Sequence, residues 1–377
     1  MNKEINPFLT DTYISKNYFC DREQELNLIK SKIENGNNLT LISNRRLGKS
    51  ALIRRFFEDF DVKECVVIYV DIFACTCLKD FTETISLAIF QRFPEKRGIG
   101  KRFFDFITGL RPVISYDMLT GQPQISLDFK QPKEYEHTLQ NLFQFIDNQN
   151  INIVLAIDEF QQISIFPEKN IEAMLRTIVQ TLKNTQLIFS GSKQHLMLEM
   201  FNSANRPFFG SAQTIALGEI PNEKYAEFIR QKFEENKRTI TDEAINFALE
   251  WTLTHTYYTQ IILNGVFAES KKNVDIETVK RVCDEQLAIQ QINFMQYRDL
   301  LSALQWRLLI AIAKEGYVSE IQSQTFLQKY KIGAASSAKK ALDALVEKEM
   351  VCRIESLEKT QFRVYNVFLL RWLDRIF

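Results

Sequence analysis

From residue 38 to about residue 217 the chain alternates short, continuously apolar runs with segments of helical period. The apolar runs are "NLTLIS", "ECVVIYVDIF", "NIVLAID", "TQLIFSGS" and "AQTIAL", with helices expected from Gly48, between the second and third runs, and from about residue 170. Strands that lack polar alternation are buried on both faces, as in a parallel sheet covered by helices. The pattern therefore predicts an α/β fold, an αβα core around a parallel sheet. Residues 111–130, "RPVISYDMLTGQPQISLDFK", depart from it by alternating polar and apolar positions around Thr120-Gly121. They predict a β-hairpin set between helices, serving either as surface elaboration or for binding a partner.

Beyond residue 219 the strand-like runs stop. "NEKYAEFIRQKFEEN" follows Pro221 as a helix start, and "TDEAINFALEW" opens on a Thr/Asp cap. From about residue 300 three helical segments, "LSALQWRLLIAIAKEG", "IQSQTFLQKYK" and "GAASSAKKALDALVEKEM", precede the strand-like "VCRIES" and "TQFRVYN". Three helices and a β-ribbon predict a winged helix. The expected division is a core over 1–218, a helical domain over 219–290 and a winged helix over 291–377, within the range of two or three domains that 377 residues suggest.

Composition narrows the chemistry. Forty-seven basic residues balance forty-seven acidic ones, so a nucleic-acid or membrane partner has to be argued from local patches. The N-terminal segment lacks the order of a signal peptide and no window reaches about 18 uninterrupted apolar residues, which gives the expectation of a cytoplasmic protein without a membrane partner. Six cysteines without a CxxC pair predict reduced, packed thiols. With three scattered histidines, a metal would be held mainly by oxygen ligands.

The candidate chemistry begins at "SNRRLGKS", residues 43–50. In a GxxxxGK(S/T) loop the backbone amides curl around phosphates, the lysine meets their charge and the last hydroxyl ligates Mg²⁺. Gly48, Lys49 and Ser50 satisfy the second half, while Ser43 stands at the first glycine. That serine brings a Cβ where glycine has none, and so an expectation of conformational strain. The loop residues Asn44, Arg45, Arg46, Leu47, Gly48, Lys49, Ser50 and Ala51 are the candidate nucleotide cradle, between an entering strand and a following helix. A GKS tripeptide also suits an ordinary helix start. The apolar run at residues 153–157 then delivers Asp158 and Glu159. In a shared site Asp158 would join Ser50 in holding Mg²⁺ and Glu159 would polarise the attacking water. The alternative is an acidic pair capping the next helix.

With these motifs in order, the chain resembles the AAA+/STAND-type P-loop ATPases of the archaeal-ATPase group. "YFCDREQEL" is similar to that family's N-terminal box, which packs near the adenine, and implies a role for Phe19. "SNRRLGKS" resembles its GxRRxGK(S/T) loop, where the Arg45-Arg46 pair is diagnostic, and "AIDEFQQI" resembles its Walker B strand. "IFSGSKQHLMLEMF" matches the sensor strand, so Ser190 or Ser192 would face the γ-phosphate, and Ser192 is the candidate. "THTYYTQ" is similar to a lid segment over the nucleotide, implying roles for His255 and Tyr257, and "FRVYNVFLLRWL" resembles the segment that ends the winged helix.

Departures from the family pattern qualify these implications. Cys20 stands in a glycine position of the adenine box, and Thr254 and Thr256 replace Gly and Pro in the lid. Ser211 stands where the family often has an arginine; Arg206 is the candidate arginine finger, or else a surface arginine. The resemblance implies ATP/ADP as ligand, Mg²⁺ as cofactor, ATP hydrolysis, an unidentified protein partner and an open question of oligomerisation. Over residues 291–377 thirteen Lys/Arg face nine Asp/Glu, a mild surplus for a DNA binder. The candidate groups there are Ser336, Ser337, Lys339 and Lys340, which equally suit a solvated helix face. Three functions remain open: a nucleotide-driven regulatory switch, a DNA-associated ATPase, and a nucleotide-binding scaffold with little turnover.

Overall fold

A computed structural model describes residues 5–11, 13–60, 65–93, 98–109, 113–116, 123–126, 132–149, 151–269, 272–354 and 359–377. They form two compact units, one within residues 11–219 and one that joins residues 5–10 to 220–377.

In the first unit the elements run α1 (Glu23–Glu34), β1 (Leu39–Ile42), α2 (Lys49–Phe60), β2 (Cys65–Asp71), α3 (Leu78–Arg92), α4 (Gly98–Gly109), β3 (Val113–Tyr116), β4 (Pro123–Ser126), α5 (Pro132–Asp147), β5 (Asn152–Asp158), α6 (Ile171–Thr181), β6 (Thr185–Gly191), α7 (Gln194–Asn202) and β7 (Gln213–Ala216). Five of the strands form one sheet in the order β2-β5-β6-β1-β7, with every pairing parallel. The five apolar runs are these five strands. β3 and β4 form the expected antiparallel hairpin, whose Thr120-Gly121 turn lies outside the described residues.

Alternate side chains of the sheet feed two separate cores. Leu39, Leu41, Val154, Ala156 and Ile188 pack under α1 and α2. Ile68, Val70, Ile153, Leu155, Ile157, Leu187 and Phe189 pack against the other helices. Within the second core Phe160, Phe189, Phe201 and Phe208 form a ring cluster with centroids 4.5–5.9 Å apart. Such contacts add about 0.5–1.5 kcal/mol per pair to the burial itself. They fix the segments after β5 and β6 against each other, and both segments carry candidate site residues.

The second unit contains α8 (Asn222–Glu235), β8 (Thr239–Ile240), α9 (Asp242–Trp251), α10 (Thr256–Glu269), β9 (Asn273–Val274), α11 (Ile276–Leu300), α12 (Ala303–Glu315), α13 (Gln324–Lys329), α14 (Ala335–Glu347), β10 (Val351–Ile354), β11 (Gln361–Val364) and α15 (Val367–Ile376). The cap read from sequence at Thr241 forms, its side chain accepting from the Ala244 amide, and Ser302 with Gln305 adds a capping box on α12 that is not among the caps expected from sequence. β10 and β11 make the antiparallel ribbon expected of a winged helix.

Three features differ from the expected division. Residues 5–10 pack with 220–377 instead of with the core, because the fully buried Phe8 sits 5.6–6.3 Å from the rings of Phe228, Phe233 and Phe267. α11 runs without a break through the expected boundary at 290/291. The supposedly all-helical stretch also includes the parallel pair β8–β9, two residues on each side and too short to produce a period. Among the described residues no helix is long and apolar enough to cross a membrane.

Candidate functional site

The carboxyl ends of three adjacent strands, β1, β6 and β5, deliver the loop 43–50, Ser192 and the Asp158–Glu159 pair. Crevices outside the carboxyl ends of parallel strands are where open α/β sheets bind ligands. In the loop, left-handed backbone falls on Arg46 (φ 63°) and Gly48 (φ 94°). Ser43 is not among the positive-φ residues, so its Cβ costs none of the expected strain. Leu47 anchors the loop in the interior, whereas Arg46 and Ser50 are exposed.

Ser43 is fully buried and takes a part that glycine has no atom to play. Its hydroxyl donates to the Asn44 carbonyl at 2.7 Å and accepts from Lys49 Nζ at 3.0 Å. Lys49 also reaches the Ser43 and Asn44 carbonyls, both at 3.4 Å. Burial lowers the Lys49 ammonium from its ordinary pKa, while the Glu159 and Asp158 carboxylates act to restore it. The buried ammonium is thus held against the loop by neutral oxygens that an anion would outcompete.

Asp158 gathers three donors. Ser50 Oγ donates to its Oδ2 at 2.5 Å, Tyr69 Oη donates to the same oxygen at 2.6 Å, and the Glu159 amide donates to Oδ1 at 3.0 Å. Burial, then the Asp158 charge, pushes the Tyr69 phenol well above its usual range, so it remains a donor. Glu159 itself adopts left-handed backbone (φ 57°), an unfavourable conformation for a side chain with a Cβ. Its Oε2 accepts from Ser192 Oγ at 2.7 Å and from Gln161 Nε2. Strain at one backbone position, offset by two side-chain donors, fixes where the carboxylate points.

Gly191, the last residue of β6, makes that arrangement possible. A Cβ there would fall on Gln161 Oε1 and within 2.5 Å of Met197 Cγ. Gly191→Ala is expected to lower stability by about 1–3 kcal/mol, as overpacking does. Because Gln161 must yield, turnover should fall by more than nucleotide binding, which thermal melting and paired kinetic and binding measurements would check.

The remaining candidates are placed differently. Phe19 is half-buried, packed edge-on to Tyr13 (5.9 Å) and against the core beneath α1 and α2. In the same box the left-handed backbone falls on Asp21 and Arg22, not on Cys20, and Arg22 ties the box to the Gly218 carbonyl at 2.6 Å. Arg206 is committed to Glu172 at 2.5 Å and Glu199 at 3.3 Å, bracing α6 and α7. His255 and Tyr257 belong to the second unit. His255 is buried, with its ring 4.8 Å from that of Tyr258, and Tyr257 is half-buried. Leu253 and Thr254 both have positive φ, so here the missing glycine has a cost, roughly 1–2 kcal/mol per residue. Thr254 offsets part of it by donating to Asn222 at 2.6 Å. Thr256 opens α10, at the first helical turn where proline is favoured.

For a divalent cation the residues present fit. Among the described residues no three His, Cys, Asp or Glu side chains cluster to form a metal cage. Ser50 instead commits its hydrogen to Asp158 and keeps its lone pairs, which suits a small cation completed by waters and phosphate oxygens. Tyr69, Gln161 and Gly191 escaped the motif reading. The signal for Tyr69 lay in strand alternation, which puts it on the same sheet face as Ala156 and Asp158, while Gln161 lay unweighed within "IDEFQQI".

A loop of this geometry after β1, with an acid pair at the end of β5, one parallel strand removed across β6, defines the class of P-loop nucleotide-binding proteins. The chain belongs to the family described as an ATPase domain predominantly from Archaea, whose model matches residues 19–258, and a probable winged helix domain matches residues 292–375. Comparison with the curated proteins gave no match. Among solved structures the fold is similar to a Walker-type ATPase of Pyrococcus abyssi, at 17% identity and a TM-score of 0.66 over 98% of this chain and 100% of the other. It is also similar to the Aeropyrum pernix ORC2 protein in ADPNP–ADP complexes, at 14% identity and 0.59 over 98% and 97%. The Aeropyrum pernix ORC1 protein in complex with DNA matches at 12% identity and 0.51 over 98% and 96%. The chain is thus an ATP-binding ATPase of archaeal type with a C-terminal winged helix.

Proposed function

We propose that this protein hydrolyses ATP in a Mg²⁺-dependent reaction that drives a regulatory conformational switch of the STAND kind. The observation that carries the reading is the convergence of Lys49, Ser50, Asp158, Glu159 and Ser192 at the carboxyl ends of three neighbouring strands. The loop amides and Lys49 would hold the β- and γ-phosphates, with Lys49 leaving its Ser43 seat to do so. Ser50 and Asp158 would hold Mg²⁺, which when bound supplies charge stabilisation to the phosphate oxygens. Glu159 would orient and polarise the attacking water, and Ser192, which donates to Glu159, would report the γ-phosphate to it.

The switch reading is supported by one feature of the second unit. Arg371 of α15 donates to the Trp251 and Glu250 carbonyls, both at 2.9 Å, capping α9 just before the lid segment. Phe368 packs on Trp251 (5.7 Å) and Tyr258 (4.9 Å). A shift of the lid would be passed directly to the helix that closes the winged helix. The test is the nucleotide retained through purification, with turnover measured next. Retained ADP and few turnovers support a switch; a chain that neither retains nor cleaves Mg-ATP rejects it.

A second reading, a DNA-associated ATPase, rests on the exposure of Ser336, Ser337, Lys339 and Lys340 along α14. Against it, Lys339 and Arg353 share a groove of about 570 Å³ with Asp343 and Glu320, so the field there is mixed in sign. If DNA binds through this face, changing both lysines to alanine should cut affinity and flatten its salt dependence by about two phosphate contacts. A duplex-binding titration at two salt concentrations decides it, and unchanged affinity rejects the reading.

A further inference from the structure

We infer that Tyr69 is the positioning residue of the cation site, holding the Asp158 carboxylate in its cation-ready orientation before any ligand arrives. The inference rests on the Mg²⁺-dependent reading above and adds to it a residue outside the loop and the acid pair. β2 and β5 run parallel with Tyr69 beside Ala156 and Asp71 beside Asp158, so strand alternation puts Tyr69 and Asp158 on the same face of the sheet. That face is the one covered by α2, the helix that begins at Lys49 and Ser50. The phenol hydroxyl reaches Asp158 Oδ2 at 2.6 Å, the oxygen to which Ser50 also donates at 2.5 Å. Arg54, one turn further along α2, lies with its guanidinium 4.6 Å from the Tyr69 ring centroid and fixes the ring from the solvent side.

A carboxylate has about four acceptor positions. Three are filled here, by Ser50, Tyr69 and the Glu159 amide, and the Ser50 bond is the one that turns the serine lone pairs outward. Take away the phenol hydroxyl and Oδ2 is left with the Ser50 hydrogen alone, so the carboxylate can rotate and the Ser50 hydrogen can follow it. The loss falls on the cation, because the hydroxyl of Tyr69 acts on Asp158 and Ser50, the two groups that would hold it, whereas Lys49 is bonded to Ser43 and Asn44. Outer-sphere partners of this kind typically change metal affinity by about 10–100-fold.

Tyr69→Phe keeps the ring between Arg54 and the core and removes only the donor. The experiment titrates MgCl₂ into the full chain with a fluorescent ATP analogue, and measures analogue affinity in EDTA and the unliganded melting temperature alongside. The expected result is a midpoint for Mg²⁺-dependent tightening raised about ten-fold or more, with EDTA affinity and melting temperature at wild-type values. A midpoint equal to wild type overturns the inference. So does an equal loss of affinity with and without Mg²⁺, which would make Tyr69 a general support of the fold. A wild-type chain that binds no analogue, or binds it with no response to Mg²⁺, instead rejects the function proposed above and this inference with it.

Discussion

Lys49→Ala should abolish measurable ATP binding. Lys49 is 5% exposed, its ammonium donates to Ser43 and Asn44 oxygens, and two carboxylates, Asp158 and Glu159, lie close enough to act on its charge. Alanine removes a buried loop cation on which both acids act, so a polyphosphate would approach two less compensated carboxylates. A charge-assisted contact is worth about 1.5–3 kcal/mol, and the uncompensated repulsion adds to it. A loss of affinity of about 100-fold or more is expected, read by titration with a fluorescent ATP analogue. Unchanged folding should accompany it, since the Ser43 hydroxyl keeps its bond to the Asn44 carbonyl. Equal affinity in the variant and the wild type would remove the loop from the mechanism.

Glu159→Gln should have the opposite profile, with ATP bound at least as tightly and turnover lost. The substituted amide has the same shape and its oxygen can still accept from Ser192 and Gln161, so the strained backbone at residue 159 keeps its supports. One negative charge leaves the neighbourhood of Lys49 and the phosphates, which favours binding. What is lost is the group able to polarise water, a loss of about 10²–10⁴-fold in rate. Single-turnover hydrolysis with pre-bound ATP isolates this step; wild-type turnover in the variant would assign the base elsewhere.

Much of this was readable from the chain because burial on both faces leaves a mark in one dimension. Five uninterrupted apolar runs became the five parallel strands, and the residues that follow three of them became the site. Periodicity identifies a face, however, and not the atom opposite. It places Tyr69 on the α2 side of the sheet but says nothing of its hydroxyl meeting Asp158, which depends on strand order. Backbone demands were equally hidden. Three non-family residues at expected glycine positions looked equivalent, yet only Thr254 has positive φ, while Ser43 and Cys20 do not. Gly191 gave no signal because its need comes from Gln161 and Met197, side chains that the fold brings to it. α15 was read only as a family-like tail, since ten residues after a strand give little more than two turns of pattern.

The seat that Phe8 occupies carries a practical corollary for anyone dissecting the chain. The nucleotide-binding unit is, in sequence, an insertion: residues 5–10 belong to one folded body, which the chain leaves after residue 10 and re-enters at residue 220. A cut made at the apparent border near 219 would strand Phe8 on the wrong fragment and leave Phe228, Phe233 and Phe267 facing water. The helical and winged-helix portion expressed from 220 alone would then be a sticky, under-filled piece, and a linker carrying residues 5–10 back to it would be the remedy.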